Sequence, residues 1–390
     1  MKPPFIEYVR SHVVLGDGAL GSYLFERGVE RGRNLDLLNV QVPDIIFNAH
    51  EEYIRAGSQL IETNTFGANR FKLRESGAEE RVEEINRAGA EIAVKAAGHQ
   101  VYVAGSIGPS GIIFPRDEEE FSPDDLRESF RVQVRGLAAG GVDVLIIETF
   151  SSLDEVLLAI EVARSEAPEL PVIGQMVYPA RGTTVQGHDA LSCGRAMIKS
   201  GAAVVGTNCG RGIDAMVSAI GKMSPLAGEG ISLSAFPNAG MPELVGHRMI
   251  YPAQPSYMAS RAKEMIRNGV HLIGGCCGTA PSHIQEFRSA LKIKPVRVRI
   301  KDVKIKEEVQ ENVIPEPRNG GFLESLQPGR LPIIAELDPP THLDAEPVLA
   351  GAERLAEAGV DAISLGENPL AILRAGNLGM ASLIRQRTGI

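Results

Sequence analysis

Gly140-Gly141-Val142-Asp143-Val144-Leu145-Ile146-Ile147-Glu148-Thr149 is the stretch that decides the fold. A glycine pair suited to ending a helix leads through a short turn into an apolar run of strand length, and the run closes on a carboxylate. The same phrase returns as Ala56-Gly57-Ser58-Gln59-Leu60-Ile61-Glu62-Thr63-Asn64, as Ser200-Gly201-Ala202-Ala203-Val204-Val205-Gly206-Thr207-Asn208 and as Asn268-Gly269-Val270-His271-Leu272-Ile273. Amphipathic stretches with apolar residues at helical spacing lie between them, among them Arg81 to Ala97 and Asp124 to Ala139. This is repeated βα text, and its strands read as buried on both faces.

Eight strands are expected: Val13 to Leu15, Leu60 to Glu62, Val101 to Gly105, Val144 to Glu148, Val172 to Val177, Ala203 to Gly206, Ile231 to Ala235 and His271 to Gly274. Eight βα units ending near Lys292 predict an α/β fold of the closed (β/α)8 TIM-barrel type over residues 1–292. The alternative, an open doubly wound sheet, calls for Gly-x-Gly-x-x-Gly after the first strand. Here the first strand runs into Asp17-Gly18-Ala19-Leu20-Gly21, which lacks that spacing. In a barrel all strand tips share one rim, where the chemistry is carried.

Two of those tips carry sulfur. Cys276 and Cys277 stand side by side in Gly274-Gly275-Cys276-Cys277-Gly278-Thr279, and Cys209 lies in Gly206-Thr207-Asn208-Cys209-Gly210. Each follows an apolar run that switches abruptly to glycine and sulfur, as where a strand ends at a site. Three thiolates converging on one zinc ion leave a tetrahedral position open, which marks a catalytic rather than a structural ion. Such a site captures a further thiol and holds it deprotonated. A strained vicinal disulfide, or two inert buried thiols, are the alternatives for the pair. Cys193, in helix-like text without the glycine context, reads as a spectator.

The other tips are Asp17, Glu62-Thr63-Asn64, Gly108-Pro109, Glu148-Thr149-Phe150, Tyr178, Asn208 and Pro237-Asn238-Ala239-Gly240. Carboxylates at a rim bind an ammonium group, and backbone amides of glycine turns such as Asp17-Gly18 bind a carboxylate. With the open metal position they outline a thiol-bearing amino acid. Taken singly, Asp17 before glycine also fits a turn, and Glu62 or Glu148 also fits a helix cap. His271, in strand text, and His283, at a helix start, read as structural.

Composition narrows the class. The chain has 390 residues and the barrel takes roughly 250, so a remainder is expected. A net charge of −9 argues against nucleic acid and against anionic membranes. No run approaches the roughly 20 apolar residues of a membrane span. Four cysteines are too few for a disulfide framework and no apolar signal segment precedes Val13, so a reducing, cytoplasmic setting is expected.

At these motifs the chain resembles the homocysteine S-methyltransferases, which include betaine-dependent enzymes and the homocysteine module of cobalamin-dependent methionine synthase. The resemblance runs in order from residue 1 to about residue 292. It rests on Asp17-Gly18-Ala19-Leu20-Gly21, Glu62-Thr63-Asn64-Thr65-Phe66-Gly67-Ala68, Gly105-Ser106-Ile107-Gly108-Pro109, Gly206 to Gly210, Pro237 to Gly240 and Gly274 to Thr279. It implies that Cys209, Cys276 and Cys277 hold zinc, that Asp17, Gly18 and Glu148 line the homocysteine pocket, and that Asn208 and Asn238 support it. The implied reaction is methyl transfer to the homocysteine thiolate, giving methionine, with no protein nucleophile or general base.

After Lys292 the text changes character. Residues 293–330 alternate charge with β-branched residues and end in turn formers, which reads as a linker. Residues 331–390 then open a second βα series: a strand running into Glu336-Leu337-Asp338-Pro339-Pro340, a helix from about Ala345 to Ala358 and a strand at Asp361 to Leu365. This part resembles the front of methylenetetrahydrofolate reductase, with Glu336 at a proton-donor position and Asn368-Pro369 after the next strand. It reads as an incomplete start of a second barrel, so FAD is expected only with a complete reductase domain. Glu336 also fits a helix or turn cap.

The methyl donor is left open among betaine, S-methylmethionine, S-adenosylmethionine, methylfolate and methylcobalamin. The loops at Glu26 to Arg33 and Phe114 to Phe121 are expected to shape that choice. Arg31, Arg33 and Arg116 are candidates for an anionic donor, although loop arginines commonly face solvent. Having no Trp argues against an aromatic cage for betaine. Two further readings stand beside the leading one: a homocysteine-activating module of cobalamin-dependent methionine synthase, and a non-catalytic zinc-stabilised barrel that scaffolds a reductase.

Overall fold

The computed structural model describes residues 2–30, 32–113, 117, 120–179, 182–241, 243–245, 248–292, 333–340, 344–365 and 377–388. The chain divides into two compact units, residues 1–301 and 302–390. The expected linker at 293–330 lies outside the described residues, as do Arg31, Arg116, Asn368-Pro369 and much of the Phe114 to Phe121 loop.

The first unit is a (β/α)8 TIM barrel. Its strands are β1 (Val14–Leu15), β2 (Leu60–Glu62), β3 (Tyr102–Ile107), β4 (Val144–Phe150), β5 (Val172–Met176), β6 (Val204–Cys209) and β7 (Ser232–Pro237). A small antiparallel hairpin, β8 (Glu243–Val245) with β9 (Arg248–Ile250), precedes the last barrel strand, β10 (Val270–Ile273). The hairpin is a feature the sequence reading lacked. The order β1-β10-β7-β6-β5-β4-β3-β2 is parallel throughout.

The surrounding helices are α1 (Phe5–Ser11), α2 (Leu20–Glu26), α3 (Leu38–Gln41), α4 (Pro43–Ala56), α5 (Arg70–Arg74), α6 (Val82–Ala97), α7 (Pro123–Ala139), α8 (Leu153–Glu166), α9 (Ala190–Lys199), α10 (Ile213–Gly228), α11 (Pro255–Arg267) and α12 (Pro281–Leu291). Their starts are written locally. Ser122 and Asp125 form a reciprocal capping box on α7 with Pro123 in the first turn, and Ser152 and Asp189 cap α8 and α9.

Side chains alternate across each strand, so every second residue points into the barrel. The lower interior is apolar, with Val14, Leu60, Tyr102, Val144, Ile146, Ile173, Val204 and Leu272 in one cluster. Helix α1 plugs that end with Phe5 and Val9, and the Phe5 ring meets Tyr102 edge-on at 5.4 Å. Burying such side chains contributes about 1.5–3 kcal/mol each. Toward the other end the same alternation places polar side chains inside: Glu62 follows Leu60, Glu148 follows Ile146, and Asn208 lies two positions beyond Gly206.

β1 and β2 stand at the two ends of the strand order. Backbone and side-chain bonds together bridge much of that gap. The Gln59 N–H donates to the Leu15 carbonyl at 2.6 Å, and the Leu15 N–H donates to Gln59 Oε1 at 3.1 Å. Ser58 Oγ donates to the Gly16 carbonyl at 3.2 Å, and the Glu62 N–H donates to Asp17 Oδ2 at 3.0 Å.

The second unit holds a parallel pair, β11 (Ile334–Leu337) and β12 (Ala362–Leu365), connected through the helix Glu346–Glu357 and followed by the helix Asn377–Thr388. Leu349, Ala352, Met380 and Ile384 form its small core. Glu336 lies on β11 and is exposed. Among the described residues no helix is long and apolar enough to cross a membrane.

Candidate metal centre

Cys209 ends β6, and Cys276 and Cys277 occupy the glycine loop after β10. Their sulfurs all lie within 4.8 Å of one another. That loop is held from both sides. The Gly274, Cys276 and Ala239 N–H groups bond to the carbonyls of Ala235, Pro237 and Cys277, while the Gly275 N–H bonds to the Asp17 carbonyl at 2.8 Å. Thr279 buttresses it from below, donating to the Cys276 carbonyl at 2.6 Å and accepting from the Ala19 N–H at 3.2 Å. Tyr53 OH donates to the carbonyls of Ala19 and Thr279.

Glycine is required here for space and for backbone shape. Gly278 has φ of +76°, and a Cβ there would fall 2.0 Å from the Tyr251 ring. A Cβ on Gly18 would meet Thr279 Oγ1 at 2.7 Å and Tyr53 at 2.9 Å. Gly18 is buried beneath the cysteine loop.

The donor chemistry fits zinc. Four-coordinate zinc with Zn–S of about 2.3 Å sets sulfurs roughly 3.8 Å apart, and the sulfurs of this trio lie within 4.8 Å of one another. The thiols also act on one another through hydrogen bonds. Cys209 is held far below the usual thiol range because Cys276 and Cys277 hydrogen-bond to it. The same sharing pushes Cys276 well up, and Cys277 up to about 12. Asn238 Nδ2 approaches Cys209 Sγ at 3.4 Å and donates to the Gly210 carbonyl at 2.7 Å. Cys193 lies buried in α9, apart from this cluster.

Three carboxylates share the same end of the barrel. Asp17 is fully buried, and its acidity is suppressed by burial and by Glu148. Glu62 is raised well above the usual range by burial, then by Glu148 and Asp17. Glu148 is raised to about 7 by burial, opposed by the Ser106 hydroxyl, which donates to Oε1 at 2.6 Å. Lys72 is near enough to favour the ionised form of Glu148, while burial lowers its own pKa. Its ammonium lies 4.7 Å from the Phe66 ring centroid.

A bulge aims these groups. In the β4–β5 pairing Ile147 faces Gly174 and Phe150 faces Met176, so β4 carries one extra residue at Glu148-Thr149. Thr149 has φ of +66° and Cys209 has φ of +60°, left-handed values that a β-branched residue rarely adopts. Asn208 holds this turn through bonds to both Glu148 and Thr149.

The three cysteines expected from sequence to hold metal, Cys209, Cys276 and Cys277, are thus together, and Asp17, Gly18, Glu148, Asn208 and Asn238 surround the same strand ends. In the sequence Glu62 and Thr149 read as strand tips, Glu62 with a helix cap as its alternative, while Ser106 and Thr279 are given no role there. Strand alternation from Leu60 signalled Glu62. His283 Nδ1 accepts from the Ala280 N–H at 3.1 Å at the start of α12, a structural role. Arg33 bonds Gln41 on the surface.

Known proteins share this architecture and its sequence. The chain is 30% identical over 305 residues to methionine synthases of Mycobacterium leprae and Mycobacterium tuberculosis, covering 73% of this chain and 25% of theirs. It therefore spans about a quarter of the length of those relatives. The metallated form of the homocysteine methyltransferase MmuM from Escherichia coli superposes with a TM-score of 0.60 at 22% identity, covering 71% of this chain and 96% of that one. A methyltransferase from Methanosarcina mazei superposes with a TM-score of 0.51 at 11% identity, covering 73% and 96%. At such identities these likenesses concern the fold. The family model for Homocysteine S-methyltransferase matches residues 14–291, more than half of the sequence, and the chain belongs to that family.

Proposed function

We propose that the barrel transfers a methyl group to the thiolate of homocysteine, giving methionine, with zinc held by Cys209, Cys276 and Cys277. The observation that carries this reading is the meeting of three thiols within 4.8 Å at a barrel end lined by buried acids. Bound there, zinc would supply the positive charge that keeps a substrate thiol ionised at neutral pH. The chain's own part is placement. Asn238 orients Cys209, the Thr279–Tyr53 buttress fixes the paired cysteines, and the carboxylates Asp17 and Glu148 attract the substrate ammonium. Backbone amides in the Asp17-Gly18 turn suit its carboxylate. Positioning of this kind replaces a protein nucleophile, because an ionised thiol needs only alignment with the donor carbon.

Zinc-edge X-ray absorption tests the reading. Three sulfurs and one lighter atom should become four sulfurs when homocysteine is added. A sulfur count unmoved by homocysteine overturns it.

A second reading has its own support. The mycobacterial relatives are methionine synthases of which this chain matches a quarter, which favours a homocysteine-activating module whose donor, methylcobalamin or a methylfolate, arrives from elsewhere. Methyl transfer from a free small-molecule donor, if assayed with the isolated chain and found, would argue against that version. For the second unit we propose the front of a methylenetetrahydrofolate reductase-like barrel. Its support is the parallel β11–helix–β12 unit with Glu336 ahead of Pro339-Pro340. FAD is assigned only to a complete barrel of that type. We place the reaction in a reducing, cytoplasmic compartment, where an exposed Cys277 thiol persists.

A further inference from the structure

The three acids at the barrel mouth are not equivalent. Both oxygens of Glu148 already accept a hydrogen bond: Oε1 from Ser106 Oγ at 2.6 Å and Oε2 from Asn208 Nδ2 at 2.8 Å. Asp17 uses one oxygen, Oδ2, on the Glu62 N–H at 3.0 Å, and its Oδ1 is buried with no donor. Glu62 Oε1 is likewise buried with no donor. Buried carboxylate oxygens without partners are expensive, and their recurrence at one place points to a donor that arrives with a ligand. The amide oxygens of Gln175 and Asn238 are also unpaired, but each of these amides is held through its nitrogen, by Ser234 Oγ and by the Gly210 carbonyl. A carboxylate has no nitrogen to hold it.

The two free oxygens belong to neighbouring strands. Asp17 follows β1 and Glu62 ends β2, and the Asp17 carboxylate already bonds the Glu62 backbone, so the acids are fixed relative to each other. Glu62 points inward by strand alternation with Leu60, which lies in the interior cluster. Among the described residues neither side chain forms an ion pair. A ligand group with several N–H donors and a positive charge satisfies both oxygens and relieves their mutual repulsion.

We propose that Glu62 is a specificity-determining residue of this pocket: with Asp17 it accepts the ammonium of the amino-acid thiol, beside the charge of Glu148. The assignment rests on the homocysteine reading and deepens it. It makes the pocket selective for thiols carrying an α-ammonium. A des-amino thiol would leave both oxygens bare.

The test is calorimetric titration of the zinc-loaded full chain with homocysteine and with 4-mercaptobutanoate, which keeps the thiol and carboxylate but lacks the ammonium. Glu62→Gln should weaken homocysteine by about tenfold or more, the scale of a hydrogen bond to a charged group. The same variant should bind 4-mercaptobutanoate as the wild type does, or more tightly. Glu62→Asp, which keeps the charge, should recover part of the homocysteine loss. Equal weakening of both thiols assigns Glu62 a structural role and overturns the proposal, as does a Glu62→Gln variant with unchanged homocysteine affinity. If the zinc-loaded wild type binds neither thiol, the homocysteine reading itself falls.

Discussion

Asn208 spends its whole side-chain amide on the turn at Thr149: Oδ1 accepts the Thr149 N–H at 2.7 Å, and Nδ2 donates to Thr149 Oγ1 at 2.6 Å and to Glu148 Oε2 at 2.8 Å. The residue after Asn208 is the metal-ligand candidate Cys209, itself in a left-handed conformation. One amide therefore ties the Glu148 carboxylate to the strand end that carries Cys209, across the tip of β5, which stops at Met176. A strained backbone persists only where its surroundings over-determine it, and this clamp is that surrounding.

Replacing Asn208 by Ala should cost on the order of 2–3 kcal/mol, since it strands a buried carboxylate oxygen and releases the Thr149 turn. Asn208→Asp should be at least as damaging, because it sets a carboxylate against Glu148. Urea midpoints at pH 7 measure both, and an Asp variant as stable as the wild type would contradict the clamp.

Metal retention should follow sulfur position rather than cysteine number. Cys209→Ser, Cys276→Ser or Cys277→Ser should each strip zinc from the purified protein. Cys193→Ser, buried in α9, should keep one equivalent. Metal analysis by mass spectrometry decides this, and zinc lost equally from all the variants would remove the site.

The acid at Asp36 makes stability fall with rising pH. Burial raises its pKa from 3.8 to about 6, against the opposing effects of Lys72 and the Gly67 N–H. A group whose native pKa lies above its unfolded value stabilises fully below the unfolded value and loses that contribution as pH climbs through the native one. Wild type should therefore lose stability, relative to Asp36→Asn, between about pH 4 and pH 6, by on the order of 2–3 kcal/mol. Denaturant titrations without substrate across that range check it. A constant difference between the two proteins would refute the assignment.

The seam at β1 and β2 should open first when its side-chain bridge is cut. Gln59→Leu removes the acceptor for the buried Leu15 N–H and should cost about 1–3 kcal/mol. Hydrogen exchange should quicken at Leu15 and Glu62 while β4 to β6 remain protected. Uniform quickening over the whole barrel would mean that the seam carries no separate weakness.

The strand phrase around Val144 made the barrel legible because parallel strands buried on both faces leave continuous apolar text. Tips were read short: β6 runs on to Cys209, where Asn208 pairs with Phe236 and Cys209 with Pro237, although the text there is already polar. Cysteine at two strand ends announced the sulfur cluster. The clamp was not legible, because Asn208 and Thr149 are brought together by the retreat of an intervening strand and by a bulge that no local residue pattern marks. Glu62 was legible in principle, being two residues beyond an inward Leu60. Its carboxylate stands out because one oxygen is buried with no donor, and that is a fact of three-dimensional bonding.

The gap between β1 and β2 also changes what a substrate is to this fold. Asp17 and Glu62 stand on opposite sides of that gap, and they carry the oxygens left without donors. An ammonium held between them would add a link at the strand tips, beyond the Gln59–Leu15 backbone bond and the Glu62 N–H bond to Asp17, so the bound amino acid would serve as a rung of the cylinder it occupies. Catalyst and cargo would then complete one another mechanically: the barrel would be stiffest when loaded, and product departure would return its slackest joint.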